Sequence, residues 1–151
     1  IPTFEEFANA SIEDIYGDEI IDAYERKVTS FESIVLINRG NNKFDVQKLP
    51  PLAQSIPILT SDVYDINNDG FEDIVVAGNI YNTEVETPRL DNQFALVLIS
   101  NKNSNYNVIG PDKSGLYLSG NTKSIKIIGN DNPKLLVANN NSDLEVFELN
   151  K

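Results

Sequence analysis

Short runs of β-branched and other apolar residues alternate with clusters of Asn, Asp, Gly and Pro over most of the chain after Phe31. Apolar runs of this length, bounded by turn residues at short spacing, predict antiparallel β-strands. The runs that fit this description are SIVLIN, KFDVQKL, IPILTSDV, DIVVAGN, FALVLIS, YNVIG, SIKIIG, KLLVANN and LEVFEL. The pattern therefore predicts a mainly β protein.

Residues 1–30 follow a different pattern, in which apolar side chains recur at helical spacing up to about Val28. Two pairs fit the capping box, in which a side-chain oxygen and a carboxylate satisfy the free N–H groups at a helix start. These pairs are Thr3 with Glu6 and Ser11 with Asp14. We therefore predict two short helices, broken near Gly17, as an insertion or lead-in before a β-rich region at 31–151.

The strand runs repeat in groups of four. One complete group covers about 55–110, from IPILTSDV to YNVIG. The runs after it repeat the first three strands in shortened form, and the two runs before it repeat the last two. The sequence thus predicts one whole four-stranded antiparallel unit between two partial units.

Composition limits the classes of function. Twelve basic against twenty-three acidic residues give a net charge of −11, which would repel a nucleic-acid backbone. Cys, His, Met and Trp are all absent, so any metal must be held by oxygen atoms. No apolar run approaches the roughly 18 residues of a membrane span. We therefore expect neither a nucleic-acid partner nor a membrane-spanning segment.

The stretch DINNDGFED has the spacing of a calcium loop, directly before the apolar run IVVAG. Gly70 can adopt a positive φ and so let the chain turn tightly. Oxygen ligands in this number suit Ca²⁺, which accepts about 6 to 8 of them. The candidate ligands are the side chains of Asp65, Asn67, Asp69 and Asp73, and the backbone carbonyl of Phe71.

Two other kinds of structure share parts of this pattern. An EF-hand begins with the same D-x-N-x-D-G, but its twelfth position is Glu where this chain has Val76, and strand formers follow instead of a helix. An ordinary turn also favours Asn, Asp and Gly, and this alternative stays open. The coincidence of four spaced ligands with a glycine favours calcium.

The stretch DVYDINNDGFEDIVVAGN resembles the FG-GAP repeat, also called the VCBS repeat, of the calcium-bearing blades of integrin-α-type β-propellers. Similarity at 31–147 extends to the C-terminal part of secreted bacterial proteins of the VCBS-repeat and UnbV type. The resemblance implies blades of four antiparallel strands, with the metal loop joining the first two. It also implies that Asp65, Asn67, Asp69, Phe71 and Asp73 are the calcium ligands.

The resemblance leaves the ring of blades incomplete. A closed propeller needs at least four blades of roughly 40 to 50 residues each, and this chain supplies fewer than three. We therefore expect either the rest of a larger propeller or self-association. In the last partial unit, Lys134 stands where a carboxylate would be expected, so we predict no metal there.

A long insertion separates IVVAG from FALVLIS and carries polar residues that could bind a sugar or a peptide. The alternative is a structural one, in which Arg89 forms an ion pair with Glu84 or Asp91 and holds the insertion in place. The candidate ligand-binding residues are Asn79, Tyr81, Glu84, Arg89 and Asp91.

Two classes of function follow. The first is an extracellular, calcium-stabilised β-propeller segment of a bacterial protein that acts as a binding or adhesion scaffold for a protein or glycan. Extracellular modules bind Ca²⁺ at around 10⁻⁴ to 10⁻³ M, which favours an exported protein. The alternative is a funnel-lining part of a polysaccharide-handling enzyme with its active site outside this segment. No nucleophile and base pair is visible in the sequence, so we expect no catalytic residues within it.

Overall fold

The structure, a computed structural model, describes residues 1–101 and 105–149 and is mainly β. Every predicted run contains a strand, so the sequence prediction of the β elements is confirmed. The strands are β1 (Ile34–Asn38), β2 (Phe44–Lys48), β3 (Thr60–Tyr64), β4 (Asp73–Ala77), β5 (Leu96–Ser100), β6 (Tyr106–Ile109), β7 (Thr122–Ile128), β8 (Lys134–Asn139) and β9 (Glu145–Glu148).

The strands form three antiparallel sheets in which the order in space follows the order in the chain. β1 and β2 form a two-stranded sheet, β3 to β6 a four-stranded sheet and β7 to β9 a three-stranded sheet. These groups of two, four and three strands are those that the repeat pattern predicted. Each sheet is a meander of neighbouring hairpins, because short polar turns connect strands that lie side by side.

The sheets are held together by two apolar cores, one on each face of the four-stranded sheet. Val75 and Ala77 of β4 lie in the core shared with β7 and β8, where Leu135 and Val137 are fully buried. Val76, the residue between them in β4, lies in the other core beside the partly buried Val35 of β1. Successive side chains of a strand point to opposite faces, which explains why β4 is apolar at consecutive positions.

Two short helices lie among the sheets. α3 (Pro51–Gln54) follows β2 and buries Ala53 in the core that contains Val76. α4 (Pro111–Ser114) follows β6 and ends at Gly115, whose φ of 71° is the left-handed conformation typical of a helix C-terminus. Both helices begin with proline, which suits the first helical position because its missing N–H has no intrahelical partner there.

Residues 1–31 form a separate compact unit. Both predicted capping boxes are present, at the starts of α1 (Phe4–Asn9) and α2 (Ile12–Tyr16). The helical pattern up to Val28 overstated the extent of helix, because α2 ends at Tyr16, directly before Gly17, whose φ is 56°. A 3₁₀ turn at Gly17–Ile20 follows, and no further helix occurs before Phe31.

Candidate metal centre

The proposed calcium loop connects β3 to β4, where the sequence placed it. Gly70 has a φ of 86°, as predicted, and Asn68 also has a positive φ of 56°. Asn adopts the left-handed region more easily than other residues with a Cβ. The two positive-φ residues curl the backbone, so that consecutive N–H groups point at side chains earlier in the loop.

Three of the predicted ligands are brought together by hydrogen bonds inside this loop. The N–H of Asp69 donates to Oδ1 of Asp65 and to Oδ1 of Asn67, at 3.0 Å each. The N–H of Gly70 donates to the other oxygen of Asp65 at 2.9 Å. Nδ2 of Asn67 donates to Oδ2 of Asp69 at 2.9 Å. Oxygens of Asp65, Asn67 and Asp69 therefore line one turn, on the partly exposed side of the loop.

Asp73 takes a different position from these three residues. Its side chain is fully buried, at 0% exposure. Oδ2 accepts a hydrogen bond from the N–H of Ile66 at 3.0 Å, and Oδ1 accepts one from the N–H of Ser100 at 2.8 Å. The carboxylate thus connects the start of the loop to the end of β5. Its burial raises the cost of the negative charge, which two backbone N–H donors offset.

Two neighbours of Asp73 mark this corner as polar within the core. Burial, followed by the charge of Asp73, raises the pKa of Tyr106. The hydroxyl of Ser100 is buried and has no hydrogen-bond partner among the described residues. An oxygen without a partner beside a buried carboxylate is the kind of atom that a bound cation or water satisfies.

The donor chemistry fits a hard cation, because every candidate ligand is an oxygen. Asp65 and Asp73 already accept backbone hydrogen bonds on both of their carboxylate oxygens, and each carboxylate oxygen can accept more than one contact. Within residues 1–101 and 105–149, no group of three or more His, Cys, Asp or Glu side chains lies close enough to hold a metal ion. The amide contact from Asn67 to Asp69 would have to open for both oxygens of Asp69 to face a cation.

The candidate ligand-binding residues in the insertion divide into a structural group and one separate residue. Arg89 forms an ion pair with Asp91 at 2.6 Å, which is one of the two pairings that the structural alternative named. The guanidinium also lies 4.6 Å from the centre of the Tyr81 ring. The Tyr81 hydroxyl lies 2.8 Å from the carbonyl oxygen of Ser119, to which it donates. Glu84 is exposed and lies outside this group.

Asn79 has a structural role that sequence reasoning missed. It is 1% exposed, and its amide donates to the carbonyls of Leu118 and Gly120 at 3.3 and 2.7 Å. Its Oδ1 accepts from the N–H of Asn92 at 3.2 Å. The two carbonyl partners lie 39 and 41 residues along the chain from Asn79, so no local pattern could have revealed these two contacts. Asn79 fastens the two ends of the insertion to the segment before β7.

Comparisons with known proteins gave no relative: no family model, curated protein or solved structure matches this chain. No helix in the described residues has the length and apolar character needed to cross a membrane.

Proposed function

We propose that the chain is an extracellular, calcium-stabilised β-sheet scaffold that presents loops to a protein or glycan, built as blades of a β-propeller. The observation that carries this proposal is the loop of Asp65, Asn67 and Asp69, whose oxygens are gathered at the turn between the first two strands of the complete sheet. The resemblance of the sequence to FG-GAP and VCBS repeats, which implies a calcium site at the same turn, supports the proposal.

In this proposal, Asp65, Asn67, Asp69, Asp73 and the Phe71 carbonyl hold the cation. Bound Ca²⁺ supplies positive charge that offsets the repulsion among the three carboxylates. A ligand at 100 times its dissociation constant stabilises the folded state by about 2.7 kcal/mol. That gain is a sizeable part of the stability of a small domain. The metal has a structural role here, and none in bond making or breaking.

The arrangement of the sheets supports the blade interpretation. The first strands of neighbouring sheets, β3 and β7, lie next to each other, as the first strands of adjacent blades would. The N–H of Ile125 in β7 donates to Oγ1 of Thr60 in β3 at 3.1 Å. The strands of each sheet then follow outward in chain order. Stacked meanders of this kind are what a propeller repeats around its axis.

Thermal unfolding of the chain with Ca²⁺, with Mg²⁺ and with chelator tests the proposal. We expect Ca²⁺ to raise Tm by several degrees, since about 1 kcal/mol shifts Tm of a domain of this size by roughly 2 to 8 °C. The Asp69→Ala variant should lose this rise. Asp131→Ala, which removes an exposed carboxylate from the turn between β7 and β8, is the matched control and should keep it. If the parent chain has the same Tm with Ca²⁺ and with chelator, the calcium site is refuted and the loop is an ordinary acidic turn.

A further inference from the structure

One edge of the two-stranded sheet carries backbone groups that have no hydrogen-bond partner among the described residues. In the register of β1 and β2, Ile34 faces Lys48, Leu36 faces Val46 and Asn38 faces Phe44. The hydrogen bonds from Arg39 N to Lys43 O at 2.9 Å and from Leu49 N to Ser33 O at 3.0 Å fix which pairs are bonded. Bonded pairs alternate along an antiparallel ladder, so the N–H and C=O groups of Ile34, Leu36 and Asn38 point away from β2.

This edge of β1 lacks the protection that most outer strands of the structure have. Exposed edges are usually guarded by charged side chains or proline, which discourage pairing with another strand. β1 reads IVLIN and contains neither, whereas β2, β3, β7 and β9 each contain at least one charged residue. The edge is therefore suited to accept a further strand.

An apolar cleft of about 380 Å³ lies beside the same edge. Its walls are Ile34 and Val35 of β1 on one side, and Val63, Ile74 and Val76 of the four-stranded sheet on the other. Val63 is 47% exposed although it belongs to a core face of that sheet. The face of β3 and β4 that borders β1 is thus only partly covered.

The complete sheet indicates what would fill the cleft. In the four-stranded sheet, the third strand β5 pairs on its inner side with β4, which is apolar at Ile74, Val75 and Val76. In the repeat, β1 corresponds to β5, and its inner side is the free edge. A strand of the β4 type would continue the β1–β2 sheet and would extend the core that already contains Val35.

A second copy of this chain is the competing occupant, because two β1 strands could pair antiparallel across a two-fold axis. The complete sheet favours a strand of the β4 type instead, since β4 is the strand that pairs with the inner side of β5. A dimer in the absence of peptide would identify the second copy as the occupant.

We propose that the free edge of β1 and the adjoining cleft bind an extended, apolar and β-branched segment of another polypeptide, which adds to the sheet as an antiparallel strand. Strand addition of this kind gains backbone hydrogen bonds at the edge and apolar contacts from alternate side chains. Lysines flanking the added segment would suit a chain of net charge −11. The site does not depend on calcium binding.

The probe is a synthetic peptide with the sequence of 74–78, IVVAG, between pairs of lysines, titrated into the full chain while amide hydrogen exchange is followed by NMR. We expect slower exchange at Ile34, Leu36 and Asn38, because their N–H groups become bonded. Leu36→Pro removes one outward N–H and should weaken binding by at least about tenfold. Val46→Pro, at the facing position on β2, removes an N–H from the opposite edge and is the matched control.

A second pair of variants tests the cleft without altering the backbone. Val63→Gln should weaken peptide binding by about tenfold, because its polar group enters the apolar cleft. Val85→Gln changes a fully exposed valine elsewhere and should leave binding unchanged. If about 1 mM peptide protects none of these amides, the proposal is overturned. A binding free energy stronger than roughly −4 kcal/mol would be detected at this concentration. Equal binding by all four variants, or a peptide-free dimer that protects the same amides, would also overturn it.

Discussion

Asp62 of β3 accepts a hydrogen bond from the backbone N–H of Ile127 in β7 and thereby joins the edges of two sheets. Its other carboxylate oxygen lies 2.7 Å from Nζ of Lys126. The Asp62 side chain is 13% exposed, so this contact is largely shielded from water. Burial raises the pKa of Asp62, but the hydrogen bonds from Ile127, Lys126 and Val63 outweigh it and leave the pKa lowered.

This contact predicts a pH-dependent stability that Asp62→Asn removes. A carboxyl group whose pKa is lowered by folding stabilises the protein above its unfolded pKa of about 4, and this contribution is lost as the pH falls through the lowered folded value. We expect Asp62→Asn to reduce the free energy of unfolding by about 1 to 2 kcal/mol at pH 7. The deficit should shrink towards pH 2.5. Urea unfolding between these pH values measures it.

The matched control is Asp45→Asn in β2, which breaks the ion pair of Asp45 with Arg39 in the turn between β1 and β2. Both side chains of that pair are more than half exposed. Exposed ion pairs contribute roughly 0 to 1 kcal/mol, so a smaller loss is expected. A loss for Asp45→Asn as large as that for Asp62→Asn would contradict the special role of the β3–β7 contact.

Gly78 is predicted to be intolerant of any side chain. A Cβ at this position would lie 2.7 Å from the backbone nitrogen of Leu59 and would also contact the carbonyl oxygen of Pro57. These are backbone atoms, and the Leu59 N–H is also bonded to the carbonyl of Ala77, so they cannot move aside as cheaply as the end of a side chain. Gly78→Ala should therefore cost about 3 kcal/mol or more. In Gly110→Ala, the new Cβ would meet only the end of the Asp112 side chain, and we expect a loss below about 1 kcal/mol. Denaturant unfolding compares the two.

Sequence reasoning succeeded where local pattern determines structure. The alternation of apolar runs and turn residues located every strand, and Gly70 marked the tight turn after β3. It failed where the partner lies far along the chain. Asp62 contacts a strand 65 residues later, and the partners of Asn79 are 39 and 41 residues away. The helical pattern after Gly17 also misled, because no residue in 1–31 is buried and spacing alone does not maintain a helix.

The contacts within the insertion predict a large loss of stability on substituting Asn79 and a small one on substituting Arg89. Asn79→Ala removes three hydrogen bonds from a buried position, so we expect a loss of about 2 to 3 kcal/mol of stability. Arg89→Ala removes a side chain that is 58% exposed, and we expect a loss below about 1 kcal/mol. Glu84→Ala, at an exposed position outside the cluster, should have no effect. Thermal unfolding ranks the three, and a stable Asn79→Ala variant would refute its structural role.

Asp73 at the end of the loop and Asp69 in its middle are expected to behave differently without calcium. Asp73 is buried and satisfies the N–H groups of Ile66 and Ser100, so Asp73→Ala leaves two donors without partners. Because the Ile66 N–H is only partly buried, we expect a cost of about 2 to 3 kcal/mol in chelator. Asp69 is exposed and accepts mainly local hydrogen bonds, so Asp69→Ala should cost less than about 1 kcal/mol under the same conditions.

The effect of added calcium is expected to distinguish residues that stabilise the loop without metal from residues that only bind the metal. Adding Ca²⁺ should widen the gap between the parent chain and Asp69→Ala, because only the parent gains the binding free energy. Asp73→Asn keeps one carbonyl oxygen as an acceptor, so its free energy of unfolding in chelator should exceed that of Asp73→Ala. It should nevertheless bind Ca²⁺ more weakly than the parent chain. Urea unfolding of the four proteins with and without Ca²⁺ measures both effects. Parallel losses for Asp69→Ala and Asp73→Ala in chelator would show that the loop acts as a single structural unit and would contradict this division of roles.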